Sequence, residues 1–338
     1  MKIITSILML FAVCVSATGQ ESDKEFSEYG EMRTYLGKLF EQQEFAEAVT
    51  LLENHIDRFP EHLMANSYNL ALMHGSLEQY DQGIRALTNA HEQGVWFSKY
   101  AFLAEFWNPY KEVDDFKLFM DRNEEMRLAA QENVKSIYEV VLPENYTESK
   151  KYPLFIALHG GGGNIEGFRN QWYSEKMKKE FVTLYVQSSQ IVAMNGFNWT
   201  EDLEISKKEI LDAFNEVARE FLIDKKEIII GGFSSGGVAS MEVVLSSTIP
   251  SLGFIALCPG KPDSFSEESV AAARDAKVHC TLITTEFDGR LDMQKEMVDL
   301  FEKAGLEHQF IITPNTGHWF PENFDVMLDQ AIQFARAK

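Results

Sequence analysis

Residues 227–238, Glu-Ile-Ile-Ile-Gly-Gly-Phe-Ser-Ser-Gly-Gly-Val, decide the fold of this 338-residue chain. The three isoleucines predict a buried strand, the two glycines after them end it, and the apolar spacing of residues 238–245 predicts a helix. Gly232 and Gly236 flank Ser234 in the pattern G-x-S-x-G, where a side chain in place of either glycine would collide with the strand or the helix. The stretch therefore predicts a strand, a sharp turn that exposes a serine hydroxyl, and a helix.

Three other segments place chemically useful groups just after a strand-like run. One run leads into His159 and the glycines at 160–163, a loop whose bare backbone can point N–H groups at a developing oxyanion. A second run precedes Asp288, and a third precedes His318. Ser234, the acid and the histidine thus occur in that order along the chain, each past the end of a strand.

This arrangement resembles the α/β-hydrolase superfamily, in which the chain order Ser, Asp/Glu, His is the rule. The resemblance implies Ser234 as the nucleophile, His318 as the general base and Asp288 as the acid that orients the imidazole. Glu286 and Asp292 are rivals for the acid, because both lie close to the same strand end.

The same resemblance implies an oxyanion hole beside Ser234. We expect its donors to be the backbone N–H of Ser235 and one from Gly161 or Gly162. His159 is expected to be a structural hydrogen-bonding residue of the glycine loop rather than a catalytic one.

The resemblance to esterases is carried by Leu142-Pro143, by the glycine loop and by Asn198-Trp199, and it covers residues 134–337. These segments are similar to feruloyl esterases, acetyl xylan esterases, polyhydroxybutyrate depolymerases and phospholipase/carboxylesterase types. The similarity implies hydrolysis of small-molecule or carbohydrate-linked carboxylic esters through an acyl-enzyme, with no metal and no organic cofactor. Trp199 either lines the substrate pocket or belongs to the core.

The fold expected from residue 133 onward is an α/β-hydrolase fold with a mostly parallel central sheet. Strand and helix patterns alternate there, which predicts a sheet covered on both faces. Residues 136–142 are expected to form a hairpin that leads into the strand at 153–158.

A small all-α domain is predicted ahead of the hydrolase. Residues 44–49 and 79–84 look alike at an offset of 35 residues, and an aromatic residue precedes a small one in each. This pattern is similar to a degenerate tetratricopeptide repeat. The domain is expected to bind a peptide or protein partner, to cover the substrate, or to act as a helical stabiliser. Its dense aromatic residues between 96 and 110 predict helix core, an interdomain face or a sugar-stacking surface.

The first residues predict export. Lys2, an apolar run and small residues up to Gly19 have the three regions of a secretory signal peptide, so we expect a periplasmic or secreted protein; a lipoprotein through Cys14 is the alternative. The expected organisation is a signal peptide at 1–19, a helical domain at 20–132 and a catalytic domain at 133–338.

Composition excludes some functions. The net charge of −21 argues against nucleic acid, whose phosphates require a basic face. No later segment is long and apolar enough to span a membrane.

Cys258 and Cys280 are expected to be buried core residues, although export would permit a disulfide between them. No histidine spacing suits a metal hydrolase.

Two other functions remain open at this point. A serine peptidase of the same fold would use the same three catalytic residues. A non-catalytic protein acting through its helices would be expected to have lost Ser234 or His318, and both are present.

Overall fold

The computed structural model describes residues 26–337, which form two compact units. Residues 26–95 and 105–119 make the first unit, and residues 96–104 and 120–337 make the second. The predicted boundary at residue 132 is therefore replaced by three changes of unit, after residues 95, 104 and 119, because two short segments of the predicted helical domain cluster with the sheet. The predicted signal peptide lies outside the described residues.

The first unit is helical, as predicted. Its helices are α1 (Tyr29–Glu41), α2 (Phe45–His55), α3 (Leu63–Ser76), α4 (Tyr80–Glu92) and α5 (Asn108–Lys111), and α6 (Asp114–Gln131) begins in it. Consecutive helices from α1 to α4 pack on one another around an apolar core that includes Met32, Leu52 and Leu70.

The 35-residue repetition in the sequence appears as a repeated turn. Gln43 and Glu78 both have positive φ, 60° and 58°, and each lies two residues before the start of a helix, α2 or α4. The two helix pairs therefore begin their second helices in the same way. Their assignment to the tetratricopeptide class stays a prediction.

Gly83 lies inside α4 because Tyr110 occupies the space beside it. A Cβ at position 83 would collide with the Tyr110 ring, whose hydroxyl donates a hydrogen bond to the Ala71 carbonyl at 2.5 Å. The buried tyrosine thus requires a helix without a side chain at that point.

We expect Gly83→Ala to lower the free energy of unfolding by about 1–3 kcal/mol, the cost of overpacking a filled core. Gly37→Ala is the matched control, because Gly37 lies inside α1 with open space around it. Alanine there should raise stability by about 0.5–1 kcal/mol through helix propensity. Urea unfolding of the full chain measures both, and equal effects would contradict the packing role of Tyr110.

The second unit is built on a seven-stranded sheet with the order β1-β3-β2-β6-β7-β8-β9. The strands, including a separate β4–β5 pair, are β1 (Ile137–Val141), β2 (Tyr152–Leu158), β3 (Val182–Gln187), β4 (Gln190–Ala193), β5 (Gly196–Asn198), β6 (Ile223–Phe233), β7 (Gly253–Leu257), β8 (His279–Thr285) and β9 (His308–Thr313). The helices are α7 (Ile165–Arg169), α8 (Glu175–Glu180), α9 (Leu203–Glu220), α10 (Ser235–Leu245), α11 (Glu267–Asp275), α12 (Leu291–Ala304) and α13 (Phe324–Ala335).

All neighbours in this sheet are parallel except β1, which runs antiparallel to β3. The predicted hairpin between residues 136–142 and β2 is therefore wrong. β2 already pairs with β3 on one side and β6 on the other, so β1 adds to the sheet edge beyond β3.

Both faces of the sheet are covered, as the sequence predicted. Leu154, Ile156 and Leu158 of β2 belong to one apolar core, whereas Phe155 and Ala157 belong to the core on the opposite face. Side chains alternate between the faces of a strand, so a strand that is apolar throughout supplies both cores. The predicted α/β-hydrolase fold with a mostly parallel sheet is confirmed.

Hydrogen bonds attach the two short segments to the sheet unit. The Arg127 guanidinium donates to the Ile191 carbonyl at 3.1 Å, and the Gln131 side chain donates to the Ser189 carbonyl and accepts from the Ile191 N–H, both at 2.9 Å. The Trp96 ring packs in a small apolar cluster with Ile191. These contacts are the physical reason why the division differs from the predicted one.

The aromatic residues between 96 and 110 are mostly core. Trp96, Phe97, Phe102, Trp107 and Tyr110 are buried, and the first three belong to the sheet unit, the last two to the helical unit. Tyr100 and Phe106 are 40% and 39% exposed.

Within residues 26–337, none of the helices combines the length and apolar composition needed to cross a membrane.

Candidate active site

The serine turn has the strained geometry that the glycine pattern predicts. Ser234 connects β6 to α10 with φ 53° and ψ −113°, a region that a residue with a side chain rarely adopts. A Cβ at Gly232 or Gly236 would collide with the carbonyl of Leu158 at the end of β2. The two glycines thus let the turn press against the neighbouring strand, and Ser234 is held at the carboxyl end of the sheet.

The loops after β8 and β9 are tied together by hydrogen bonds. The Thr285 hydroxyl donates to the Gly317 carbonyl at 2.7 Å, and the Phe287 N–H donates to the Thr316 carbonyl at 3.0 Å. Adjacent parallel strands end at the same edge of the sheet, so these bonds fix the position of His318 relative to Asp288.

The three predicted catalytic side chains form a hydrogen-bonded row. Ser234 Oγ lies 2.9 Å from His318 Nε2, and His318 Nδ1 lies 3.0 Å from Asp288 Oδ2. The Arg290 guanidinium, which can only donate, faces Nε2 at 3.1 Å, so Nε2 is the acceptor and Nδ1 carries the proton. In this tautomer the imidazole can take a proton from Ser234.

Asp288 is the carboxylate that the structure brings to His318. Its side chain is 1% exposed. Burial raises its pKa, but hydrogen bonds from the Arg290 backbone N–H at 2.9 Å, from His318 and from the Cys258 thiol outweigh burial and lower the pKa below its ordinary value. The group is therefore charged at neutral pH and can balance an imidazolium.

The two rival carboxylates lie elsewhere. Glu286 is exposed and accepts a hydrogen bond from the Asn315 N–H at 3.0 Å. The Asp292 side chain is 93% exposed and pairs with Lys295 at 3.1 Å. Neither is placed to orient the imidazole.

The backbone hydrogen bonds show which of the predicted N–H groups are available as oxyanion donors. Ser235 is the first residue of α10, so its N–H is one of the helix donors without an intrahelical partner. Gly161 lines the same pocket as Ser234 and Ser235. The Gly162 N–H donates to the Phe197 carbonyl at 2.8 Å, so the prediction for Gly162 is corrected in favour of Gly161.

Trp199 does not line the pocket. It has no exposed surface, and its indole N–H donates to the His159 carbonyl at 3.0 Å. Its predicted substrate-binding role is therefore wrong, and the core alternative is the correct one. Trp199 supports the glycine loop from beneath.

His159 is structural, as predicted. Its Nδ1 lies 2.8 Å from the Gly160 carbonyl, and its Nε2 accepts from the Ser188 N–H at 3.3 Å. Burial lowers its pKa to about 4, so the ring is neutral and Nδ1 carries the donated proton.

A polar pocket of about 830 Å³ opens in front of Ser234. Arg290 and Tyr100 are among the lining residues that the sequence analysis did not select. The remaining lining residues are Gly161, Asn198, Thr200, Glu201, Asp202, Leu203, Glu204, Ser234, Ser235, Val238, Glu242, Gly260, Lys261, Asp263 and His318.

Tyr100 is part of the pocket wall, and its hydroxyl belongs to a hydrogen-bonded cluster. Its hydroxyl donates to Glu201 and accepts from the Asn198 side chain at 2.9 Å, and Lys99 pairs with Glu201. Burial, followed by the hydrogen bond to Glu201 and its charge, raises the pKa of Tyr100 to about 12. The Tyr100 phenol is therefore neutral, and its hydrogen bonds hold it in the pocket wall.

Cys258 is the one further potential ligand beside the catalytic row. Within residues 26–337, the ligand atoms of Cys258, Asp288 and His318 form the one group that lies close enough together to hold a metal ion. Burial, together with the Asp288 charge and hydrogen bond, raises the pKa of Cys258 to about 12. In its neutral form the thiol donates a hydrogen bond to Asp288. Cys258 and Cys280 are both free and buried, as expected of core residues.

Comparisons with known proteins agree with the fold. No family model matches the chain. Prolyl endopeptidase FAP from Bos taurus is 28% identical over 134 residues, which are 37% of this chain and 18% of the relative. Probable feruloyl esterase C from Aspergillus terreus is 24% identical over 193 residues, 53% of this chain and 66% of the relative. The chain thus spans less than two thirds of the length of either relative.

A solved structure is similar over nearly the whole chain. The crystal structure of an uncharacterized protein from Bacillus cereus ATCC 10987 matches with a TM-score of 0.52 and 21% identity, and it covers 91% of this chain and 98% of that chain. The resemblance to α/β-hydrolase esterases is confirmed at the level of fold. The fold and the curated relatives together support a serine hydrolase in general.

Asp288→Asn should reduce the turnover of any substrate by about 10⁴-fold, because an amide stabilises the wrong imidazole tautomer. Glu286→Gln and Asp292→Asn are the matched controls, since each replaces a nearby carboxylate that does not contact His318. Steady-state kinetics of the three variants measure the effect. A larger loss in either control would reassign the acid.

Proposed function

We propose that this protein is an exported serine hydrolase that cleaves carboxylic esters through an acyl-enzyme. The observation that carries the proposal is the row from Ser234 Oγ through His318 to buried Asp288, on a strained turn that faces a pocket. A nucleophile, a base and an orienting acid in hydrogen-bond contact are what acyl transfer requires.

The mechanism follows from the atoms in contact. Ser234 Oγ attacks the ester carbonyl carbon as its proton passes to His318 Nε2. The carbonyl oxygen becomes an oxyanion, which the N–H groups of Ser235 and Gly161 stabilise. The protonated Nε2 then gives its proton to the departing alkoxide. Water attacks the acyl-enzyme by the same path, and the carboxylic acid leaves as Ser234 is restored.

The contribution of each oxyanion donor to transition-state stabilisation can be measured. Removing one such donor typically costs about 3 kcal/mol of transition-state stabilisation. No metal or organic cofactor is part of the proposed mechanism, because the serine, the histidine and the backbone donors supply every proton and charge that it needs.

The pocket favours a polar substrate. Its walls carry charged side chains such as Glu201, Lys261 and Arg290 together with the Tyr100 phenol. Such a lining fits small-molecule or carbohydrate-linked esters better than long apolar chains. Export to the periplasm or outside the cell, which we propose from residues 1–19, would place the enzyme where such esters occur. The proposal also includes a peptide or protein partner for the helical unit.

A serine peptidase is the second candidate. The 28% identity with prolyl endopeptidase FAP, over 134 residues, favours it. The same catalytic row would then attack an amide carbonyl, so an aminoacyl amide substrate separates the two candidates.

Ser234→Ala should abolish hydrolysis of acetyl, butyryl and feruloyl esters by the full chain, because no other hydroxyl lies in contact with His318 in residues 26–337. Ser246→Ala is the matched control. Ser246 caps the far end of α10 and donates to the Glu242 carbonyl, outside the pocket lining. Initial rates on the panel, with an aminoacyl amide added, are the measurement.

The outcomes have different consequences. Ester turnover that Ser234→Ala lacks and Ser246→Ala keeps supports the esterase. Turnover of the amide alone promotes the peptidase. Substantial turnover by Ser234→Ala contradicts the catalytic assignment.

A further inference from the structure

Arg290 reaches the reacting atoms although the proposed mechanism does not use its side chain. It immediately precedes α12, and its Nη1 lies 3.3 Å from Ser234 Oγ and 3.1 Å from His318 Nε2. Longer contacts of 3.5 Å join Nη1 to the Cys258 carbonyl and to His318 Nδ1. The guanidinium thus lies where the substrate must bind.

This guanidinium has no carboxylate partner within residues 26–337, and its backbone N–H alone contacts Asp288. By contrast, Arg336 pairs with Glu180 and Glu227, both at 2.7 Å. A guanidinium is a fork of donors shaped for a carboxylate or phosphate. In a chain of net charge −21, an arginine left without a carboxylate beside the nucleophile points to an anionic substrate group.

Two acidic residues of the pocket, Glu201 and Asp202, are already engaged. Glu201 is held by Lys99 and Tyr100. Asp202 caps α9 by accepting from the Glu204 and Ile205 N–H groups.

The rest of the lining carries both signs of charge. Lys207 pairs with Glu204 at 2.6 Å and with Glu242 at 3.5 Å. Lys261 and Asp263 occupy one loop, and neither has an ion pair within residues 26–337. Lys261 and Asp263 offset each other in charge, and Arg290 is the lining cation that contacts Ser234 and His318.

We propose that Arg290 is a specificity-determining residue that binds a carboxylate of the substrate, in an ester cleaved by the proposed hydrolase. A carboxylate oxygen at hydrogen-bond distance from Nη1 would lie within about 6 Å of Ser234 Oγ. The carboxylate is therefore about two to four bonds from the scissile carbonyl. It belongs either to the acyl part, as in a dicarboxylic half-ester, or to the alcohol part, as in an ester of a hydroxy acid.

Binding of this anion also frees the base. His318 Nε2 has one lone pair, and both the Ser234 hydroxyl at 2.9 Å and Arg290 Nη1 at 3.1 Å are directed at it. A substrate carboxylate that engages the guanidinium leaves Ser234 as the sole donor to Nε2. The preferred substrate therefore assists the first proton transfer as well as binding.

Two matched substrate pairs test the proposal. Ethyl hydrogen succinate and ethyl succinamate differ by an acyl-side carboxylate against its neutral amide. Carboxymethyl butyrate and carbamoylmethyl butyrate make the same comparison on the alcohol side. The quantity measured is the ratio of kcat/KM for the acid to kcat/KM for the amide, which cancels general effects on the catalytic row.

Arg290→Gln should lower this ratio by about 10- to 100-fold in one of the two pairs, and the affected pair identifies the side that carries the carboxylate. Arg290→Lys should keep part of the ratio, because it retains the charge but not the fork. Lys295→Gln is the control. It removes one positive charge from α12 outside the pocket lining and should leave the ratio unchanged.

The failure of this proposal is distinguishable from failure of the esterase. If the wild-type chain hydrolyses the neutral amides in a Ser234-dependent way, and Arg290→Gln leaves both ratios unchanged, the esterase stands and the anion site is overturned. If no ester is turned over, calorimetric binding of succinate decides. Binding that Arg290→Gln loses and Lys295→Gln keeps supports the anion site, and binding that is absent or equal in all variants overturns it.

Discussion

The close approach of the serine turn to the end of β2 is the constraint on which the site depends. Gly232 and Gly236 press against the Leu158 carbonyl, and this contact permits the left-handed backbone of Ser234. Strain of this kind costs on the order of 1–3 kcal/mol and persists only where surrounding structure enforces it. The two apolar cores around β2 and β6 provide that enforcement, so packing energy holds the hydroxyl toward His318.

The fold and the order of the candidate catalytic residues could be predicted because they depend on local patterns. Strand-like runs that end in glycine or acid mark the carboxyl edge of a parallel sheet, and that edge collects Ser234, Asp288 and His318 regardless of loop detail. Asp288 is preferred to Glu286 from the sequence because Glu286 directly follows the strand-like run, whereas Asp288 lies two residues further into the turn. The structure adds the burial and the hydrogen bonds that lower the pKa of Asp288.

Features that depend on packing between distant segments were not predictable. The sequence leaves Trp199 open between the substrate pocket and the core, and the structure shows it buried beneath the glycine loop. Tyr100 reaches the pocket from a segment that composition assigned to the helical domain. Arg290 lies two residues after Asp288 in the sequence, but only the structure shows the contacts with Ser234 and His318 that distinguish it from a surface arginine.

Covalent trapping of the nucleophile tests the central claim most directly. The full chain is treated with diisopropyl fluorophosphate, and the modified serine is located by mass spectrometry of its peptides. An activated Ser234 should displace fluoride and carry one phosphoryl adduct, which the Ser234→Ala variant should lack. No adduct, or an adduct on Ser235 or on a serine outside the pocket, would contradict the assignment of Ser234, His318 and Asp288 as a working catalytic row.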